Sequence, residues 1–354
     1  PSEDRASPMA RRVKDARDGL SRGSLRAMSS PPAARSPGRL HGHRWTLGPF
    51  LEAQVTPRPA PPSRLFRTVV RDPTLGPLPL TGRRTVAPPG GEADTLVLIV
   101  HGLGGSERSY YALRAARAAA RAGLASLRMN HRGADRRGAD SYHAGLTDDV
   151  RAVLATPSLA RFTTVLLLGF SMGGHVSFRL LAEGDVDERV KALGAVCAPV
   201  DLRAGADEID QPKGKFYRTN VLNGLREILG AVATRSDHLP LGPREARRIG
   251  TLRAWDERVV APRFGFRNAD DYYARMAAGP VLDRIRRPTL AVVAEQDPMV
   301  YTHVVRPWFD AAPNVRTVYS ARGGHVGFPP DTNLGLGGEG AVEDQVIHWL
   351  RDPH

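Results

Sequence analysis

The sequence predicts an α/β fold, a mostly parallel central sheet with helices on both faces and a helical cap inserted between two late strands. Three observations lead there. The candidate strands are short and nearly continuously apolar, as in parallel strands buried on both faces. They alternate with stretches of helical spacing. One long, mostly helical segment then interrupts the rhythm.

The strands fall at residues 95–100, 124–129, 163–168, 190–198, 289–294 and 315–319. Helices are expected at 110–122, 147–155, 175–183 and 341–350, the second with Thr147 as its N-cap and Asp148 and Asp149 in its first turn. Five regions follow. Residues 1–44 read as a disordered basic tail, 45–93 as a Pro-rich extended arm with one strand near 65–70, and 94–200 as the first half of the core. Residues 201–287 are the cap and 288–354 the second half of the core.

Composition narrows the class. The chain has 354 residues, 41% of them hydrophobic, which is ample for one large core. No uninterrupted apolar run approaches the ~18 residues of a membrane span, and residues 1–44 contain no secretory h-region, so neither feature is expected. The single cysteine, Cys197, excludes an intrachain disulfide and a multi-cysteine metal site; its apolar surroundings mark it as a buried strand residue. The net charge of +13 invites a nucleic-acid or anionic-membrane partner. Ten basic and four acidic residues lie in the first 44, however, and no basic stretch is interleaved with aromatics. A basic surface, with no nucleic-acid partner, is the expectation.

The sharpest motif is Gly169-Phe170-Ser171-Met172-Gly173-Gly174, which directly follows an apolar strand and precedes a helix. G-x-S-x-G at such a junction presents a serine on a strained turn, with glycines where a side chain would strike a neighbour. A serine hydroxyl needs a base, and the base an orienting carboxylate. His325, in Gly323-Gly324-His325-Val326-Gly327-Phe328 after the last strand, is the candidate base. His101 and His131 precede the serine, His175 lies on its helix, His303 follows Asp297 too closely, and His348 is on the terminal helix. Asp297, fixed in a loop by Pro298, is the candidate carboxylate, with Glu295 the fallback. The turn His101-Gly102-Leu103-Gly104-Gly105 offers Leu103 N–H as an oxyanion donor beside that of Met172. It lacks the Lys-Ser/Thr of a nucleotide-binding loop.

These motifs, together with Asn130-His131-Arg132-Gly133 and Tyr142-His143-Ala144-Gly145, resemble the YheT-like family of α/β-hydrolases, which has abhydrolase-domain lipases and esterases among its animal relatives. The cap strings Trp255-Asp256-Glu257, Gly265-Phe266, Asp271-Tyr272-Tyr273 and Val281 through Ile285 share the likeness. The resemblance covers about residues 45–350 and implies the α/β-hydrolase fold with Ser171, Asp297 and His325 as its triad. It further implies hydrolysis of carboxylic esters (short-chain esters, acylglycerols or phospholipids), no cofactor or metal, and a cytosolic setting. Val260 and Ala277 stand where the family has hydroxyl residues, which points to a different substrate preference. An acyltransferase or thioesterase would use the same triad, and a non-catalytic binding protein could keep the same fold.

Overall fold

The computed structural model describes residues 40–56 and 58–354. Eight strands form one sheet: β1 Arg64–Asp72, β2 Gly76–Thr85, β3 Glu92–Val100, β4 Leu124–Met129, β5 Thr164–Phe170, β6 Val190–Val196, β7 Thr289–Ala294 and β8 Arg316–Ser320. Their spatial order is β1-β2-β4-β3-β5-β6-β7-β8. Only β2 runs against its neighbours; β4, β3, β5, β6, β7 and β8 pair in parallel. All residues of β4 and β7 are buried, and β5 and β6 nearly so. Burying each such Val or Leu contributes about 1.5–3 kcal/mol, so apolar burial supplies much of the cohesion at the centre of the sheet, although β4 also buries Ser126 and Arg128.

The helices are α1 His41–Val55, α2 Tyr110–Arg121, α3 Asp148–Leu154, α4 Met172–Ala182, α5 Leu202–Ile209, α6 Lys215–Val232, α7 Pro243–Ala246, α8 Leu252–Trp255, α9 Ala261–Phe264, α10 Ala269–Met276, α11 Thr302–Asp310 and α12 Val342–Arg351. Helices α2 and α12 cover one face, with Ala115, Ala119, Val346 and Leu350 in its core. Helices α3, α4 and α11 cover the other through Val150, Val176, Leu180, Val305 and Trp308. Helices α5 to α10 connect β6 to β7 and have their own core, including Leu222, Leu229, Trp255 and Tyr272. A π-helical turn, Asp256–Val260, joins α8 to α9. No helix among the described residues is long and apolar enough to cross a membrane.

The sequence reading needs correction at three places. Residues 45–55, expected to be extended, are helical, and α1 begins at His41 inside the expected tail; the rest of that tail lies outside the described residues. The internal Pro49 removes the hydrogen bond that Trp45 O would accept but does not end this helix. Residues 76–85 form a strand that pairs with β1 through a turn in which Asp72 Oδ1 accepts the N–H groups of Thr74 and Leu75, each at 2.9 Å. The first of these strands was expected near 65–70; the alternating burial of the second, one face wet, masked it beside the more uniformly apolar core. Finally, Thr147 does not cap α3 with its side chain; its hydroxyl donates to Glu183 instead, at 3.0 Å.

Candidate active site

Ser171 follows β5 directly and has φ 51°, a left-handed conformation that costs a non-glycine residue about 1–3 kcal/mol. The elbow glycines make that turn sterically feasible. A Cβ on Gly173 would lie 2.2 Å from Val100 O, and one on Gly169 would lie 2.6 Å from the Gly174 backbone. Cys197 and Val326 have similarly positive φ, so three of the four such non-glycine residues among those described cluster here.

Asp297 follows β7. Its Oδ1 accepts the Met299 and Val300 N–H groups at 2.8 and 2.9 Å, which fixes the carboxylate and leaves Oδ2 directed at His325. His325 Nδ1 lies 2.9 Å from that oxygen and Nε2 lies 3.0 Å from Ser171 Oγ. With Nδ1–H donating to the carboxylate, Nε2 is left to accept the serine proton. Glu295 instead pairs with Arg306 at 2.8 Å.

The His325 loop is braced by α1. The His325 N–H donates to Thr46 Oγ1 at 2.8 Å, and that hydroxyl donates in turn to Gly42 O. Gly324 and Gly327 serve this contact: a Cβ on the first would lie 2.1 Å from Gly42 O and one on the second 2.0 Å from Trp45 O. Gly42 itself abuts the Gln296 carbonyl. Nothing in the Ser/Pro-rich sequence before residue 64 pointed to this brace.

The turn after β3 is held from several sides. Gly102 N–H donates to Tyr111 OH and Gly104 N–H to Tyr142 OH, each at 2.9 Å. His101 Nε2 accepts the His131 N–H, so its proton is on Nδ1, which donates to Gly102 O at 2.8 Å. Burial pushes the His101 pKa down to about 3, which keeps this neutral tautomer. The Gly102 carbonyl and the Leu103 N–H belong to one peptide plane, so His101 orients the latter. Among the described residues neither Leu103 N–H nor Met172 N–H has a hydrogen-bond acceptor. Tyr111, Tyr142 and His101 in this role were missed, although Tyr142 and His101 lie in motifs already singled out.

Asn130-His131-Arg132-Gly133 proves architectural. Asn130 Oδ1 accepts the Glu107 N–H at 2.8 Å. Arg132, fully buried, donates to Asp72 at 2.7 Å, Asp140 at 3.3 Å and Asp149 at 2.8 Å. Arg263 of α9 reaches the same Asp140 and Asp72, at 2.7 and 3.1 Å, which ties the cap to the core.

A cavity of about 540 Å³ opens above Ser171 and His325, lined also by Phe50 of α1, Tyr217 of α6 and Asp256 of the π-turn. Cys197, Asp297 and His325 bring one candidate metal-ligand atom each within 4.8 Å of one another. The donor set does not suit a cation: burial raises the Cys197 thiol well above its ordinary pKa, and its Sγ–H points to Gly324 O. The other two groups are already engaged with each other.

The profile of the alpha/beta hydrolase fold family matches residues 95–332. The chain is 30% identical over 261 residues to a protein of Escherichia coli (strain K12) named as esterase YheT, covering 72% of this chain and 76% of that one. It is 27% identical to a monoacylglycerol lipase of Saccharomyces cerevisiae (68% and 56%) and 25% identical to a phospholipase of Mus musculus (66% and 58%). The match thus spans little more than half the length of the latter two. Among solved structures, a thermophilic esterase from Thermogutta terrifontis is 20% identical with a TM-score of 0.48, over 81% of this chain and 98% of that one. The profile match and the likeness to YheT place this chain in the α/β-hydrolase family, on its YheT-like branch.

Proposed function

We propose that this protein hydrolyses carboxylic esters through an acyl-enzyme formed on Ser171. The reading is carried by the hydrogen-bonded relay Ser171–His325–Asp297, with links of 3.0 and 2.9 Å, at the floor of the cavity. His325 Nε2 takes the Ser171 proton as Oγ attacks the ester carbonyl. The resulting oxyanion is received by Leu103 N–H and Met172 N–H, a donor pair of the kind in which each member is worth about 2.7–4 kcal/mol. His325 then passes the proton to the departing alkoxide, and the alcohol leaves. Water, deprotonated by the same nitrogen, attacks the acyl carbon and releases the carboxylic acid and free Ser171. Asp297 keeps the imidazole in the required tautomer and stabilises its cationic form.

The relatives' names, an esterase and a monoacylglycerol lipase, support a short-chain ester or an acylglycerol as substrate, the mostly apolar cavity wall supports an acyl chain within it, and the setting we propose is the cytosol. A fluorophosphonate probe should label the wild-type serine, and Ser171→Ala should abolish labelling and lower kcat for p-nitrophenyl esters by about 10⁶-fold. Undiminished labelling of the variant would end this reading.

A further inference from the structure

Two arginines are buried among the described residues, and their surroundings differ. Arg132 is met by three carboxylates. Arg128, 2% exposed, pairs with none among the described residues. Its Nη1 donates to Glu107 O at 2.9 Å, its Nη2 donates to Ser63 Oγ at 3.4 Å, and its Nε has no partner. The Glu107 carboxylate pairs with Arg108 instead, at 3.5 Å. Burial above all pushes the Arg128 guanidinium down to about 10; Glu107 works against that fall, while Arg83 and Arg117 add to it.

The pleat sets two more unmet groups beside Arg128. Ser126 lies two residues before it on β4, so both side chains leave the same face of the sheet, opposite to Ala125 and Leu127. Thr85 of β2 is the cross-strand partner of Ser126, as Arg83 is of Arg128. Ser126 and Thr85 are 0% and 5% exposed, and neither hydroxyl has a hydrogen-bond partner. Helix α2 packs on β4 and buries Ala112, Ala115, Ala116 and Ala119, side chains with no polar atom to offer. Groups buried in this way are costly to leave unmet. Nε–H can only donate, and both hydroxyls can donate as well.

We infer that Arg128, Ser126 and Thr85 form a buried site for a halide-sized anion, chloride under ordinary conditions, between β2, β4 and α2. A water molecule would satisfy the hydroxyls but would bring no charge to offset the guanidinium. A larger oxyanion does not suit a patch that is so fully covered. The ion is structural. Arg128 holds the Glu107 carbonyl, two residues beyond the Gly102–Gly105 turn, so the bound anion steadies the ground next to that turn without touching a substrate. The inference does not depend on ester hydrolysis.

Two measurements on the whole chain test it. In the first, thermal unfolding is followed at fixed ionic strength while sodium gluconate, whose anion is too large for the site, is exchanged for sodium chloride. The wild-type midpoint should rise by at least about 2 °C between about 1 and 200 mM chloride. Ser126→Ala with Thr85→Val, and separately Arg128→Met, should each reduce that rise to below about 0.5 °C. In the second, crystals grown in sodium bromide should show an anomalous peak in hydrogen-bonding reach of Arg128 Nε and of at least one of the two hydroxyls. No chloride response in the wild type, or a response kept in either variant, would overturn the inference. So would a bromide crystal in which only water lies there, bridging Arg128 Nε to the unpartnered Glu107 Oε2. A bromide peak without the chloride response would mean binding at crystal concentration only, and would overturn it equally.

Discussion

The central strands and the helix α1 converge on one site by opposite means. Strands β5 and β7 deliver Ser171 and Asp297 because nearly every residue in them is buried, so their ends cannot wander. Helix α1 buries only Gly42, Thr46 and Pro49 and leaves Phe50, Leu51 and Val55 exposed. Its hold on the His325 loop comes from the Thr46 hydroxyl, from His41 Nε2, which accepts the Gly323 N–H at 3.2 Å, and from a few backbone approaches that only glycines allow. Cohesion spread over many side chains resists single substitutions; a brace made of a few contacts does not. The difference teaches that placing a catalytic group and keeping it in register are separate tasks here.

The largest effect that would test this contrast is at the end of β7. Asp297→Asn keeps the loop's shape and its Met299 and Val300 bonds yet favours the wrong imidazole tautomer, so kcat should fall by about 10⁴-fold with little change in urea midpoint. A normal kcat would show that the strand-borne carboxylate is dispensable.

The junction between cap and core should respond the other way round. Arg132→Met strips Asp72, Asp140 and Asp149 of their shared cation and should cost about 3–5 kcal/mol in urea unfolding. The pH dependence follows the same groups. Burial works to raise the Asp72 and Asp149 carboxyls, but hydrogen bonds and the nearby Arg132 overcome it and hold both below their ordinary values. Their contribution is therefore present above the unfolded value of about 4 and is lost as pH falls through the depressed folded values. The urea midpoint should drop below about pH 4 in the wild type and fall less steeply in Arg132→Met. Parallel curves would show that this cluster does not govern acid stability.

The smallest effect belongs to the brace. Thr46→Val removes the acceptor of the His325 N–H while keeping the side chain's shape, and should lower kcat about 10-fold, roughly 1.4 kcal/mol, with KM little changed. An unaltered kcat would mean that the glycine contacts and the His41–Gly323 hydrogen bond hold the loop without Thr46.

How much of this was legible follows from the same contrast. Strands Leu124–Met129 and Thr289–Ala294 were read to the residue, the second from an almost unbroken apolar run and the first from apolar residues that outweigh its buried Ser126 and Arg128. The motif around Ser171 carried its own steric argument, and Gly169 and Gly173 sit where that argument requires them. Helix α1 was invisible because its important groups are a glycine, a threonine, the His41 ring and main-chain atoms, whose partners lie at the other end of the sequence. The Arg132 cluster was noticed as a motif but not understood, since Asp72, Asp140, Asp149 and Arg263 come from four separated segments.

Thr46 and His325 are 279 positions apart, yet one hydrogen bond joins them. Synthesis from the N-terminus lays down Thr46 early and His325 late, and Asp297 precedes His325 by only 28 positions. The finished relay is thus among the last long-range contacts to form. A chain ending before residue 325 would hold the serine and the carboxylate but not the base that the proposed relay requires, nor the terminal helix that covers one face of the sheet.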